Sequence, residues 1–362
     1  MFDVAIAGGG PAGSSCAAFC AKAGLRTLLL ERENFPREKV CGDCLNPGCW
    51  PILRRLELEE QVLRLPHGAL DRVEFIGMNG RILDVELSTT EISLKRSLFD
   101  QLLMMRAREL GATVFESTTV TALSAPEHAY ENWTIAGGDQ TFEARMLVAA
   151  DGRNSTVARL CGLLPRSEKE RIALQTHLPL PADFGDRVVL QFLPEGYSGQ
   201  APIGSGELNL CLVSVPRKMA ALRKWAEARF GIALDHSWRT ITPLTRAPIS
   251  AGQCSLFLVG DAARVVEPFT GEGIYYALAS GELAADAIVS QCNGRGADEV
   301  SAAYSAAHEK LYRGRLWINR LARAAVLSPI LASTLLGVMR LHPALLHRLT
   351  GKIVAPHRHH SG

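Results

Sequence analysis

The 362-residue sequence has almost no charge imbalance: 39 Lys and Arg against 37 Asp and Glu leave a formal net charge of +2. Without a basic excess there is no electrostatic reason to expect a nucleic-acid partner. The opening MFDVAIAGGG lacks a basic stretch followed by an apolar one, so no secretory signal is read there. Nine cysteines without such a signal are expected to be reduced thiols, and the cytoplasm or its membrane face is the expected location. Long apolar runs are missing too. Residues 324–339 carry no charge, but they fall short of the roughly 20 apolar residues needed to cross a bilayer. Pro329 interrupts them, and Arg320, Arg323 and Arg340 flank them. This segment reads as a helical layer closing the core, with a peripheral, interfacial membrane helix as the alternative. There is no internal repeat and no low-complexity linker. What remains is an ordinary globular composition, 47% hydrophobic and 21% charged, long enough for one nucleotide-type domain and a second lobe.

The order of patterns predicts an α/β fold. FDVAIA is a buried strand, SSCAAFCAKAG a helix stopped at Gly24, and LRTLLLE a second buried strand. LDRVEFIGMNGRILDVEL predicts two strands around an Asn79-Gly80 turn. KRSLFDQLLMMRAREL has a helical apolar period. The α/β alternation stops over residues 166–249, which read as an inserted antiparallel lobe. The expected organisation is therefore a Rossmann-like nucleotide-binding part over residues 1–165, with a small β excursion near 70–95. It resumes over residues 250–300, and a C-terminal helical segment covers 301–362.

Three glycine signatures carry the chemistry. Gly8-x-Gly10-x-x-Gly13 follows a strand and opens a helix, so backbone and helix N-terminus can approach a pyrophosphate. Glu31, ending the next strand, can accept hydrogen bonds from a ribose diol. An ADP moiety fits this unit whether the ligand is FAD or NAD. The second signature, Asp151-Gly152, ends a strand in LVAADGRNSTVARLCG. The third, Gly260-Asp261 with Pro268 and Gly271-x-Gly273, ends another strand before a helix. A nicotinamide domain needs no such late elements, whereas a flavin dinucleotide stretched across the domain does. There is no second Gly-x-Gly-x-x-Gly, so no dedicated nicotinamide domain is expected.

On these residues, with LLLERENFPREKVCGD and GDAARVVEPFTGEGIYYAL, the chain resembles FAD-dependent oxidoreductases of the para-hydroxybenzoate hydroxylase fold. It is most similar to the geranylgeranyl reductase family. Aromatic hydroxylases tend to carry Gly-Gln-Gly-x-Asn where this chain has Gly271-Glu272-Gly273-Ile274-Tyr275. The resemblance implies cofactor contacts at Gly8, Gly10, Pro11, Ala12, Gly13, Glu31, Arg32, Cys41, Gly42, Arg96 and Val120. It extends them to Asp151, Gly152, Gly260, Asp261, Pro268, Gly271, Gly273 and Ile274. It also implies transient use of NAD(P)H and a hydrophobic small-molecule substrate.

The cysteines of EKVCGDCLNPGCW leave zinc and a redox disulfide open by spacing alone, with Cys49 and His67 as further ligand candidates. The resemblance instead places Lys39-Val40-Cys41-Gly42 beside the flavin ring, with Cys41 lining the pocket and Cys44 incidental; no metal is expected. Relatives often carry Tyr-x-Trp-x-Phe-Pro along a substrate tunnel. Here Tyr197 and Pro202 are kept, but Gly199 and Ala201 replace the bulky aromatics, so halogenation is disfavoured and a wide pocket is expected. Cys41 and Tyr197 are the candidate catalytic residues, with Tyr197 as a core aromatic the competing view. His177 reads as a core histidine or as a proton donor. Reduction of an isoprenoid or polyketide-like double bond is the leading expectation. Hydroxylation of a phenolic lipid by a flavin monooxygenase, and electron transfer to quinone, stand beside it.

Overall fold

The computed structural model describes residues 1–313 other than 127, 129, 130, 166–170, 269 and 270. The uncharged run over residues 324–339 and the histidine-rich tail lie outside the described residues. Among those described, no helix is long and apolar enough to cross a membrane.

The chain begins with β1 (Phe2–Ala7), α1 (Pro11–Lys22) and β2 (Thr27–Leu30). All four residues of β2 and the last four of β1 are buried, as expected of strands covered on both faces. Pro11 supplies a preset φ at the first turn of α1, and Gly24, at φ +83, lets the chain leave it. Next come β3 (Cys44–Leu45), α2 (Trp50–Arg55), α3 (Glu59–Arg64), β4 (Gly68–Ile76) and β5 (Ile82–Ser93). α4 (Arg96–Glu109), β6 (Thr113–Phe115), β7 (Val120–Ser124), β8 (Trp133–Gly137), β9 (Gln140–Ala149) and α5 (Thr156–Leu160) follow. Then come β10 (Ile172–Pro179), β11 (Arg187–Leu193), β12 (Gly196–Pro202), β13 (Glu207–Ser214), α6 (Pro216–Phe230) and β14 (Arg239–Ile241). β15 (Gly252–Gln253), β16 (Leu256–Leu258), α7 (Gly273–Cys292) and α8 (Ala297–Tyr312) complete the described part.

The first sheet runs β15-β16-β9-β1-β2-β6, with the β7–β8 hairpin joined to β9. β1 pairs in parallel with β2 and β9, and β16 in parallel with β9. Their C-terminal ends, Ala7, Leu30, Ala149 and Leu258, therefore share one edge, where open α/β sheets form their ligand crevice. α1 and α7 pack together over this sheet. A Cβ on Gly281 would lie 2.3 Å from Ser15 Oγ and 2.4 Å from the Ala12 carbonyl, so only glycine permits the crossing.

The second sheet runs β14-β10-β13-β12-β11-β4-β5-β3. The strands expected as a small excursion near residues 70–95 thus extend this sheet, with β4 parallel to β11 from Arg72–Arg187 to Ile76–Gln191. Alternating half-buried residues announce a strand but not its partner, which here lies far along the chain. One face of the sheet packs Leu174, Leu178, Leu210 and Leu212 under Met219, Leu222 and Ala226 of α6. The opposite face gathers Ala173, Phe192, Tyr197 and Val213 with Leu244, and Val40 of the cysteine loop packs onto it. That loop is where the two sheets meet.

Candidate functional site

The three glycine signatures come together at the edge of the first sheet. Gly8, at φ +106, passes so near the second signature that a Cβ would stand 2.5 Å from the Ala150 carbonyl and 2.8 Å from Asp151 Cα. The third reaches the first through Gly260, whose Cβ would lie 3.1 Å from Ala12 Cβ. Ser280 Oγ on α7 accepts the Gly260 N–H at 2.8 Å. Sites far apart in sequence are therefore one surface.

Glu31, buried at the end of β2, accepts the Gly9 N–H at 2.6 Å and the Glu33 N–H at 2.9 Å. Its carboxylate thus sets the shape of the first turn as well as presenting lone pairs at the crevice. α1 starts at Gly10 without a side-chain cap and without an acidic residue in its first turn. Arg37 stands over that start, its Nη2 3.6 Å from where a Gly10 Cβ would be. Uncapped N–H groups beside a guanidinium form a cradle for an anionic phosphate.

Arg37 and Arg96 share one carboxylate. Asp100, fully buried on α4, receives Arg96 through two bonds of 2.7 Å, and its Oδ2 forms an ion pair with Arg37 Nη1 at 3.0 Å. Burial works against the Arg96 charge, but Asp100 and the neighbouring Cys41 outweigh it, so Arg96 stays charged. Lys39 joins this cationic group. Burial, then the fields of Arg96, Arg37 and Arg153, bring its ammonium down to about 8. Arg153 donates to Asp261 Oδ2 at 2.8 Å, and Arg246 donates to the Asp261 carbonyl at 2.6 Å. Asp151 turns its Oδ2 to the Thr156 and Val157 N–H groups at 2.6 and 3.1 Å, where it fixes the start of α5.

The cysteine loop is anchored from both sides. The Cys41 carbonyl accepts Gln175 Nε2 and Asn209 Nδ2, each at 3.0 Å, and the Cys211 thiol at 3.2 Å. All three donors stand on one face of β10 and β13. The Cys41 thiol lies against Arg96 and the Asp43 N–H, yet burial raises it, so it is a neutral thiol and not a standing nucleophile. Cys44 gives its thiol to the Gly42 carbonyl at 3.4 Å, while Cys49 is enclosed in the core. The cysteines of the loop thus have separate surroundings, and all nine in the chain are free. A Cβ on Gly42 or on Gly273 would meet nothing within 4 Å, and one on Gly271, at φ +67, would reach only Cys44 Cβ at 3.9 Å. The loop and the start of α7 are therefore neighbours, near Cys44 and Gly271, and each is open on the side of Gly42 and Gly273.

Other expected positions lie elsewhere around the site. Ala12 and Ile274 are buried at the first turns of α1 and α7, and Val120 is buried at the start of β7. Pro268 is exposed, and so is Arg32, which pairs with Glu33 at 3.3 Å. Tyr197 is buried in the apolar cluster, its phenol held well above its usual value by burial, with the Glu267 carboxylate acting the same way. His177 approaches Asp43 at 3.4 Å.

Arg37, Asp100, Gln175 and Asn209 were not singled out by motif. Asp100 stands four positions after Arg96 on a helix, a spacing that places the two side by side. Gln175 and His177, and Asn209 and Cys211, alternate within otherwise apolar strands, so a period of two would have placed them on one face.

These residues fit FAD. The cradle at α1 suits the diphosphate, Glu31 a ribose, Asp261 further hydroxyls, and the space beside Gly42 and Gly273 a flat ring.

A family profile described as an FAD binding domain matches residues 1–193. The menaquinone reductase of Mycolicibacterium smegmatis is 28% identical over 97% of this chain and 91% of its own. Digeranylgeranylglycerophospholipid reductase 1 of Methanopyrus kandleri is 29% identical, covering 80% of each chain. A flavin-dependent brominase structure superposes with a TM-score of 0.81 at 20% identity, covering 99% of this chain and 96% of that one, a likeness of fold.

Proposed function

Because the chain belongs to the FAD-binding-domain family and, within it, to the geranylgeranyl reductase-like FAD-dependent oxidoreductases, we propose that it reduces a carbon–carbon double bond in a hydrophobic isoprenoid-type molecule. The observation that carries this reading is the apolar face of the second sheet. Ala173, Phe192, Tyr197, Val213 and Leu244 cluster there beside the loop that borders the ring space. Gly199 and Ala201 lie on the same face, opposite Cys211 and Asn209, and leave it low. Leu244 and Val40 close over the cluster, so a bulky apolar chain would enter at its border, where Gly199 is half-buried, and be held by burial and not by charge. The two curated relatives support the class of substrate, since geranylgeranyl chains and menaquinone are both prenylated.

FAD, when bound, supplies the hydride, and NAD(P)H admitted transiently is the proposed reductant. The chain supplies the rest. Arg37 and the start of α1 would hold the diphosphate, and Glu31 would orient the adenosine half. The anchored Cys41 carbonyl fixes the loop against the second sheet, and the apolar face keeps water from the reacting bond. Contact with a membrane surface belongs to this proposal, as the route by which a lipid-soluble substrate arrives.

The test is anaerobic reduction of the yellow protein, followed by polyprenyl compounds in one sample and by oxygen with phenolic lipids in another. A product heavier by two hydrogens is expected. A product heavier by one oxygen would move the protein to the monooxygenases. Reoxidation by quinone without a modified product would make it an electron carrier.

A further inference from the structure

Behind the Cys41 loop lie two buried acceptor oxygens that meet no donor. Asp43 is 1% exposed and holds a left-handed backbone, φ +61, a conformation Asp and Asn accept more readily than other side chains. Its Oδ2 lies 3.4 Å from His177 Nε2 and accepts Gln175 Nε2 at 3.3 Å. Its Oδ1 and, on the neighbouring Gln175, Oε1 are each buried without a hydrogen-bond partner among the described residues. A buried carboxylate oxygen left bare is costly when charged, and a proton on the carboxyl removes that charge. The position is also apt. Asp43 follows Gly42, beside which the space is open, and His177 stands on the sheet face that anchors Cys41.

On the reduction reading above, we propose that Asp43 and His177 form the proton store that provides the second hydrogen of the double-bond reduction. Bound FAD, once reduced, would supply the hydride, with its electron pair, to one alkene carbon. The π electrons then form the bond from the other carbon to a proton released by the pair. FAD is left oxidised, NAD(P)H re-reduces it, and solvent refills the pair. The groups facing Asp43 agree with this role. Burial lifts its carboxyl to about 6, and Glu38 acts the same way, while His177 on β10 and Arg96 on α4 act against it. The thiols of Cys41, Cys44 and Cys211 complete the ring around it and stay neutral, each raised by burial.

The experiment uses the full-length holoprotein with Asp43→Asn and His177→Gln variants, each checked for retained FAD. Asparagine accepts the left-handed backbone, so the loop keeps its shape. In the resting oxidised protein, infrared titration is expected to show a protonated carboxyl band lost as pH rises through about 6 and absent from Asp43→Asn. In turnover with a polyprenyl substrate, both variants are expected to lose about a hundredfold in rate, while reduction of FAD by NAD(P)H is unchanged. Wild-type product formed in deuterated water should carry solvent deuterium at the carbon that receives the proton. A band that survives Asp43→Asn, or a His177→Gln variant with wild-type rate and pH profile, would overturn the proton store while the reduction reading stands. Wild-type protein that shows the band yet reduces no double bond would overturn the reduction reading alone.

Discussion

Gly13 passes so close beneath Gly8 that a Cβ on the later residue would lie 1.8 Å from the earlier one's carbonyl oxygen. The obstruction is backbone, which cannot swing aside as a side chain can. Gly8 is itself locked by its positive φ and by the Ala150 carbonyl. The first signature is therefore a packing device before it is a binding device: it lets α1 begin directly behind β1, and the cradle for a phosphate follows from that approach.

Gly13→Ala should accordingly damage both fold and cofactor site. The overpacked turn is expected to cost about 1–3 kcal/mol or more in denaturant unfolding, and purified protein should lose most of its yellow colour. A variant that melts and binds FAD like wild type would mean that the turn can open without loss. Gly24→Ala is the control, since it is strained by its φ but far from any ligand contact.

Lys39 predicts a proton linkage. Its folded value of about 8 lies below the ordinary 10.5, first through burial and then through Arg96, Arg37 and Arg153. A lysine depressed in this way penalises the folded apoprotein at every pH below about 8, and the penalty fades as pH rises from there toward 10.5. Lys39→Met should therefore melt higher than wild type near neutral pH as apoprotein, with the difference shrinking in alkali. An anionic cofactor reverses the preference, so FAD binding near pH 9 should take up protons. Titration calorimetry in buffers of different ionisation heat measures this, and zero uptake would separate Lys39 from the cofactor.

Cys41 is held chiefly through its carbonyl: Gln175, Asn209 and Cys211 all donate to the backbone oxygen. Cys41→Ser should leave FAD bound and stability within about 1 kcal/mol, since the anchors remain. Turnover should change, because the side chain between Arg96 and the ring space has changed. Gln175→Leu should do the opposite kind of harm, removing a donor from a buried carbonyl at a cost of about 1–3 kcal/mol. Equal unfolding curves for Gln175→Leu and wild type would show the anchor to be dispensable.

The nucleotide half of the fold was legible in the sequence because its signals are local: VAIA, GGGPAG and TLLLE lie within one βαβ unit. Asp151 and Asp261 could be placed at strand ends for the same reason. What each carboxylate binds could not be read. Asp151 is committed to the N-terminus of α5 and Asp261 to Arg153, and both choices depend on folded distances. The pairing of β4 with β11 was hidden likewise, since an alternating strand fits any edge. The Asp43–His177 pair joins the loop before β3 to β10, segments of one sheet that lie far apart along the chain. No spacing within either segment announces it.

Gly199 gives the sharpest test of the apolar face as a substrate surface. It stands on β12 opposite Cys211 of β13 and Leu190 of β11, and a Cβ there would meet only Leu190 Cδ2, at 3.6 Å. That is ordinary contact, so Gly199→Ala should fold and turn over within about 0.5 kcal/mol of wild type. A tryptophan cannot be absorbed in the same way. Its ring must stand up from the sheet on the face against which the cysteine loop is anchored. Gly199→Trp is therefore expected to keep FAD and its melting temperature but to lose at least about tenfold in kcat/KM on a long prenyl chain, and less on a short one. Equal loss on both lengths would point to general damage of the sheet, and no loss on either would place the substrate somewhere other than this face.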